Sequence, residues 1–145
     1  MRWKVPALAI VVLSAAVTAR AQLQMVSVSG MWMRFITPTT PAAGYFTVTN
    51  AGSRPVVITG ASSPDCGQLM LHQSRNVSGT EQMVMVSNVT VPAHGAVKFA
   101  PGGYHLMCMS PSANVVPGRT VPITLTFADN RLITKPFIVR GAKGQ

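Results

Sequence analysis

The sequence predicts an all-β protein, a single-domain antiparallel β-sandwich. Short runs of β-branched or alternating apolar residues recur along the chain, and clusters of Gly, Pro, Asn and Asp separate them. After residue 22 no stretch sustains the 3.6-residue period of an amphipathic helix. Many short strands joined by tight turns within one domain's length of chain favour two packed layers of sheet.

Ten segments have the apolar alternation or β-branched content of strands. They are residues 24–28, 31–36, 45–50, 56–61, 68–75, 82–86, 96–99, 105–109, 120–127 and 132–140. Turn-forming residues lie between most of them, among them Pro101-Gly102-Gly103. The sequence shows no internal repeat, low-complexity segment or linker, so residues 22–145 are predicted to form one domain.

Residues 1–21 are predicted to be a cleaved secretory signal peptide. Arg2 and Lys4 give a basic start, residues 5–17 are apolar, and residues 19–21 form an A-x-A cleavage site. The apolar run is shorter than the roughly 20 residues that a membrane-spanning helix requires. We therefore expect export without stable membrane insertion after cleavage.

The chain is strongly basic, with 12 Lys and Arg against 3 Asp and Glu, for a formal net charge of +9. The cationic residues are scattered singly and form no basic stripe, so nucleic-acid binding is not expected. Catalysis by paired carboxylates is nearly excluded because the chain has so few of them. No Ser-His-Asp triad or phosphate loop is evident, and we predict a protein that is not an enzyme.

Four side chains point instead to copper. They follow the pattern H-x10-M-x21-H-x-M and are His72, Met83, His105 and Met107. Neutral thioether sulfur is soft and favours monovalent copper, while imidazole adds affinity for many metals. Because residues two apart on a strand share a face, His105 and Met107 project together. The tight turn at residues 101–103 places this pair near one end of the predicted sandwich.

Additional thioethers lie near each candidate ligand. The same alternation puts Met70 beside His72, Met85 beside Met83, and Met109 beside Met107. A second interpretation treats the methionines as flexible core filler in an interaction module without a metal site. Burial of the methionines distinguishes the two interpretations.

The two cysteines, Cys66 and Cys108, are predicted to form a disulfide in an oxidising compartment. The bridge would tie together the segments that carry His72 and His105. An alternative is a thiol-disulfide protein that uses the two cysteines chemically, although the sequence contains no C-x-x-C motif. A blue-copper site is not expected, because such a site needs a Cys ligand with two His and here no His follows Cys108.

The chain resembles the periplasmic copper chaperones of the PCu(A)C family. The segments that carry the resemblance are CGQLMLH at 66–72, Met83, VPAHG at 91–95, PGGYHLM at 101–107 and VPITLTF at 121–127. The resemblance implies a cupredoxin-like sandwich in the periplasm that binds one Cu(I) ion. It implies His72, Met83, His105 and Met107 as the ligands. It also implies delivery of copper to the copper-site subunit of cytochrome c oxidase or to its assembly factors.

Overall fold

The computed structural model describes residues 25–145, so the predicted signal peptide, residues 1–21, lies outside the described residues. The predicted all-β class is confirmed, with ten strands between residues 26 and 140. The strands are β1 (Val26–Arg34), β2 (Ala42–Asn50), β3 (Val56–Ser62), β4 (Cys66–Val77), β5 (Thr80–Met85), β6 (Val89–Val91), β7 (Gly95–Phe99), β8 (Tyr104–Pro111), β9 (Thr120–Phe127) and β10 (Leu132–Arg140).

The strands pair in the order β5-β4-β8-β7-β2-β1-β10-β9-β3-β6, and β8 also pairs with β2. The β1–β10 and β7–β8 pairs are parallel, while the other pairings of the described strands are antiparallel. Alternation along a single strand cannot predict the direction of its partner, which is why the sequence did not anticipate the parallel pairs. Within residues 25–145, no helix is long and apolar enough to cross a membrane.

The buried apolar side chains of the strands form one core cluster. Strand β9 shows the pattern most clearly, because Val121, Ile123, Leu125 and Phe127 alternate into the core. The aromatic centre is built around Phe46, which stacks on Phe99 at a centroid distance of 4.3 Å and meets Phe137 edge-on at 5.7 Å. Full burial of each such side chain stabilises the fold by about 1.5–3 kcal/mol.

The predicted division into strands was wrong at two places. The segments predicted as 24–28 and 31–36 belong to one strand, β1, whose pairing with β2 shifts register between Ser29 and Trp32. Gly30 adopts a φ of 62° within this bulge, a conformation that glycine accepts without steric cost. Strand β6 was missed because a three-residue strand is too short to show alternation.

The β4–β5 hairpin is longer than the sequence indicated. Its two central residues, Ser78 and Gly79, have φ values of 52° and 83°, the positive pair that a type I′ turn requires. The Asn76 Oδ1 atom accepts a hydrogen bond from the Gly79 backbone N–H at 3.0 Å. A two-residue turn fixes the register of both strands, so it also fixes which residues of β5 lie opposite those of β4.

Strand β4 is joined to β8 covalently as well as by hydrogen bonds. Cys66 and Cys108 form the predicted disulfide, with a Cα–Cα distance of 5.3 Å that lies in the usual range for disulfides. The bridge closes a loop with a sequence separation of 42, and Cys108 is fully buried. In the chain-entropy model a loop of this size stabilises the folded state by about 4 kcal/mol.

We therefore expect the Cys66→Ala/Cys108→Ala double variant to lose about 4 kcal/mol of unfolding free energy, because its unfolded chain is no longer constrained. Urea denaturation of the oxidised wild-type protein and of the variant measures the difference. The wild-type protein unfolded under reducing conditions serves as the control and should approach the stability of the variant. Equal midpoints for the oxidised protein and the variant would contradict the prediction.

Candidate metal centre

The four predicted ligands lie on three neighbouring strands. His72 is on β4, Met83 is on β5, and His105 and Met107 are on β8. Strands β4 and β8 pair so that His72 stands directly opposite His105, and the centroids of the two rings are 5.7 Å apart. The structure therefore brings together two imidazoles that are distant in the sequence.

A pocket of about 350 Å³ opens beside this histidine pair. It is lined by three of the four predicted ligands, Met83, His105 and Met107, and its walls include the turn residues Pro101 and Gly102. His72 does not line the pocket, and it meets the site through the ring of His105. The predicted ligands thus converge, with His72 at the margin.

His105 is oriented as a metal ligand would be. Its side chain is 3% exposed, and its Nδ1 atom lies 3.2 Å from the backbone carbonyl oxygen of Gly103. A carbonyl can only accept a hydrogen bond, so Nδ1 carries the proton and Nε2 keeps its lone pair. Nε2 is buried and has no hydrogen-bond partner among residues 25–145. Burying a nitrogen whose lone pair has no partner costs folding free energy unless a ligand binds that nitrogen.

His72 also has a buried nitrogen with an unused bonding position. Its Nδ1 atom makes no hydrogen bond within the described part of the chain. The residue as a whole is only half-buried. His72 and His105 thus each have a buried nitrogen without a partner in the described chain, and the two residues stand opposite each other across β4 and β8.

The candidate methionines are accessible rather than packed in the core. Met83 is 57% exposed and Met107 is half-buried, so neither fills the interior. This placement differs from the alternative in which the methionines are core filler. Within residues 25–145, no three His, Cys, Asp or Glu side chains come together as a metal site. The additional donors in this pocket are the thioether sulfurs of Met83 and Met107.

The register of the hairpin adds a detail that spacing could not show. Met85, rather than Met83, lies directly opposite His72, while Met83 lies opposite Ser74. Met107 lies opposite Met70, so register alone would separate Met83 from Met107 along β4. Both nevertheless line the same pocket.

Arg34 and Tyr45 also line the pocket, although no pattern in the sequence indicated them. The Arg34 guanidinium lies over the Tyr45 ring, 5.4 Å from its centroid. Strand alternation places each residue on one face of its own strand, but only the pairing of β2 with β8 brings them to the histidines. Arg34 therefore contributes a permanent positive charge at the wall of the site.

The surroundings of both imidazoles lower their pKa and so favour the neutral form. Burial lowers the pKa of His72, and the nearby His105 lowers it further. Burial also lowers the pKa of His105, the hydrogen bond to Gly103 raises it in part, and the Arg34 charge lowers it. Burial raises the pKa of Tyr45, with Arg34 acting in the opposite direction. Neutral imidazole is the form that binds a metal ion.

Comparison with known proteins places the chain in a family. The model for the family described as "Putative lipoprotein LpqE-like" matches residues 26–139. The chain belongs to the LpqE-like family. It is 32% identical over 127 residues to "Putative lipoprotein Lxx21020" of Leifsonia xyli subsp. xyli (strain CTCB07), covering 87% of this chain and 75% of that protein. It is 31% identical over 90 residues to "Uncharacterized protein RP573" of Rickettsia prowazekii (strain Madrid E), covering 61% of this chain and 50% of that protein.

Solved structures share the fold of this LpqE-like protein. The copper-bound PCuAC domain from PmoF2 has a TM-score of 0.67 at 23% identity, over 81% of this chain and 93% of that one. CuI-DR1885 from Deinococcus radiodurans has a TM-score of 0.61 at 30% identity, over 87% of this chain and 85% of that one. The predicted relationship to the PCu(A)C family and the predicted cupredoxin-like fold are confirmed.

The lowered pKa values give the LpqE-like protein a defined pH dependence. Because both histidines titrate below their ordinary pKa of 6.5 when folded, the unfolded chain takes up protons first as the pH falls. We expect the unfolding free energy of the metal-free protein to fall as the pH drops below about 6.5, and these groups to contribute nothing above it.

Urea denaturation between pH 7.5 and pH 5 provides the measurement. The His72→Gln/His105→Gln variant is the control, since it lacks both titrating rings and should show a smaller decline. Identical pH profiles for the two proteins would show that these histidines are not responsible.

Proposed function

We propose that this protein is a copper-binding carrier that holds Cu(I) through His72, Met83, His105 and Met107. The observation that carries the proposal is the Nε2 atom of His105, which is buried and has no hydrogen-bond partner in the described chain. That residue lines a pocket with two thioethers, and a second imidazole lies beside it. Two imidazoles and two thioethers suit Cu(I) better than Zn²⁺, Mg²⁺ or Cu²⁺.

The related structures support the copper assignment. The PmoF2 domain is described as copper-bound, and the DR1885 protein, 30% identical to this chain, has been solved in its CuI form. The fold that these proteins share with this chain carries the candidate ligands here on β4, β5 and β8. We infer that copper, as cargo, occupies the same pocket in this protein.

The donor set suits a carrier rather than a catalyst. All four proposed ligands are neutral, so no thiolate has to be reprotonated when the metal leaves. Burial of His105 and exposure of Met83 give the site one sheltered and one accessible ligand. A recipient protein can then replace the accessible thioether first and the buried imidazole last. Transfer by successive ligand exchange needs no change in the oxidation state of copper.

We further propose that the carrier works in the periplasm and supplies the copper centres of cytochrome c oxidase. Residues 1–21 have the organisation of a cleaved signal peptide, and residues 22–145 would form the copper-binding domain. Family relatives are described as lipoproteins, which supports export. The disulfide between Cys66 and Cys108 also suits an oxidising compartment.

The structure favours the copper carrier over a thiol-disulfide protein. Both cysteines are joined in the bridge, and Cys108 is 0% exposed in the core. Thiol-disulfide exchange requires that an attacking thiolate reach one of the sulfur atoms, and Cys66, which is half-buried, leaves the bridge only partly open to such an attack. A bridge anchored in the core between β4 and β8 is better suited to holding the histidine strands in place.

The ligand assignment predicts that Met83→Leu and Met107→Leu each weaken Cu(I) binding at least about tenfold, or about 1.4 kcal/mol. Leucine preserves most of the side-chain volume and removes the sulfur donor, so the fold should remain intact. Competition with a chromogenic Cu(I) chelator under anaerobic conditions measures the affinity. Met109→Leu is the matched control. Met109 lies on β8, on the same face as Met107, but its cross-strand partner is Gln68. Unchanged affinity in both test variants would refute the assignment.

The delivery proposal predicts direct transfer to an oxidase copper domain. When the Cu(I)-loaded protein is mixed anaerobically with a metal-free copper-binding domain of cytochrome c oxidase subunit II, we expect copper to move to that domain. Metal analysis after separation of the two proteins measures the transfer, and a free Cu(I)–chelator complex of equal affinity is the control. If transfer is no faster than from the chelator complex, the oxidase is not the recipient.

A further inference from the structure

The face of the sheet that carries the candidate metal centre holds a second group of soft donors around His72. Met85 on β5 lies directly opposite His72, and Met70 precedes His72 by two residues on β4, on the same face. Neither methionine lines the pocket that contains Met83, His105 and Met107. Met70 and Met85 are therefore not part of the pocket site.

The spacing of the strands allows these donors to reach one ion. Directly opposed residues of an antiparallel pair lie about 4.5–5.5 Å apart, which applies to Met85 and His72. Same-face neighbours on one strand lie about 7 Å apart, which applies to Met70 and His72. Met70 and Met85 are diagonal neighbours, about 7–8 Å apart. Methionine has three rotatable bonds, so each separation can be bridged by a shared metal ion.

The exposure of these side chains differs from that of the inner site. Met85 is 69% exposed on β5, which is an edge strand of the sheet, while Met70 and His72 are half-buried. The pocket ligand His105, in contrast, is 3% exposed. A large apolar side chain so exposed on an edge strand contributes little to the core. Its sulfur is instead open to any soft ion that approaches from solvent.

The geometry points to an outer Cu(I) position formed by His72, Met70 and Met85, which shares His72 with the inner site. Passage of copper between this outer position and the inner site rests on the proposed copper-carrier function, although binding of a soft ion at the outer position does not. With one imidazole and two thioethers it offers Cu(I) a three-coordinate environment that should be weaker than the inner one.

Movement between the two positions is a ligand exchange that balances without another reactant. The bond from copper to the His72 nitrogen persists while the bonds to Met83, His105 and Met107 break and those to Met70 and Met85 form. Copper remains Cu(I), every ligand is neutral, and no proton or electron is transferred. Because both positions use His72, one copper ion occupies one or the other.

The test uses Ag(I), a redox-inert soft ion, and methyl NMR of protein labelled at the methionine ε-carbons. The inner site is disabled in the Met83→Leu/His105→Gln/Met107→Leu variant, and its fold is checked by circular dichroism. We expect one equivalent of Ag(I) to bind and to shift the methyl resonances of Met70 and Met85. The resonance of Met25, an exposed methionine next to the start of β1, should not move.

Replacing the outer donors in the same background gives the decisive comparison. Adding Met85→Leu should weaken Ag(I) binding at least about tenfold, and adding Met70→Leu as well should abolish it, whereas Met25→Leu should have no effect. Met85→Leu is the safest variant because its side chain is largely exposed.

The outer position is wrong if Met70 and Met85 show no shift, or if the two leucine substitutions leave Ag(I) binding unchanged. That result would leave the inner site standing, because the inner site is tested separately by the effect of Met107→Leu on Cu(I) affinity. The converse pair of results is that Ag(I) binds at the outer position while Met107→Leu keeps the Cu(I) affinity of the wild-type protein. That pair of results would reject the assignment of the inner ligands and leave the outer position standing.

Discussion

The antiparallel pairing of β4 with β8 is the constraint on which the candidate metal centre depends. This register sets His72 opposite His105 and, on the other face, Leu71 opposite Leu106. A shift by one residue would send the imidazoles into the core and the leucines into solvent, so burial of the apolar face fixes the register. The disulfide between β4 and β8 adds a covalent restraint on the same pair of strands.

One face of β8 packs in the core, and the other face lines the pocket. Leu106 and Cys108 are fully buried and stabilise the sandwich, while His105 and Met107 alternate with them on the face that meets the pocket. Packing of Leu106 and Cys108 thus helps to set the positions of the two proposed ligands on the opposite face. A metal site at these residues would be organised before metal arrives, so that little of the binding free energy would be spent on ordering the chain.

Exposure changes steadily across the three strands of the site. His105 on β8 is 3% exposed, His72 on β4 is half-buried, and Met85 on the edge strand β5 is 69% exposed. The type I′ turn at Ser78 and Gly79 fixes which β5 residues stand beside His72. The proposed donors therefore run from a buried imidazole at one end to accessible thioethers at the other.

Alternation, turn chemistry and ligand type are local properties, and the sequence alone determined the all-β class, the shared face of His105 and Met107, and the disulfide between Cys66 and Cys108. Tertiary structure decided which strands became neighbours: the parallel pairing of β1 with β10, the approach of Arg34 and Tyr45 to the histidines, and the position of Met85 opposite His72. The reason is that a strand's own pattern specifies which face it buries, whereas its partner is selected only when the whole core is assembled.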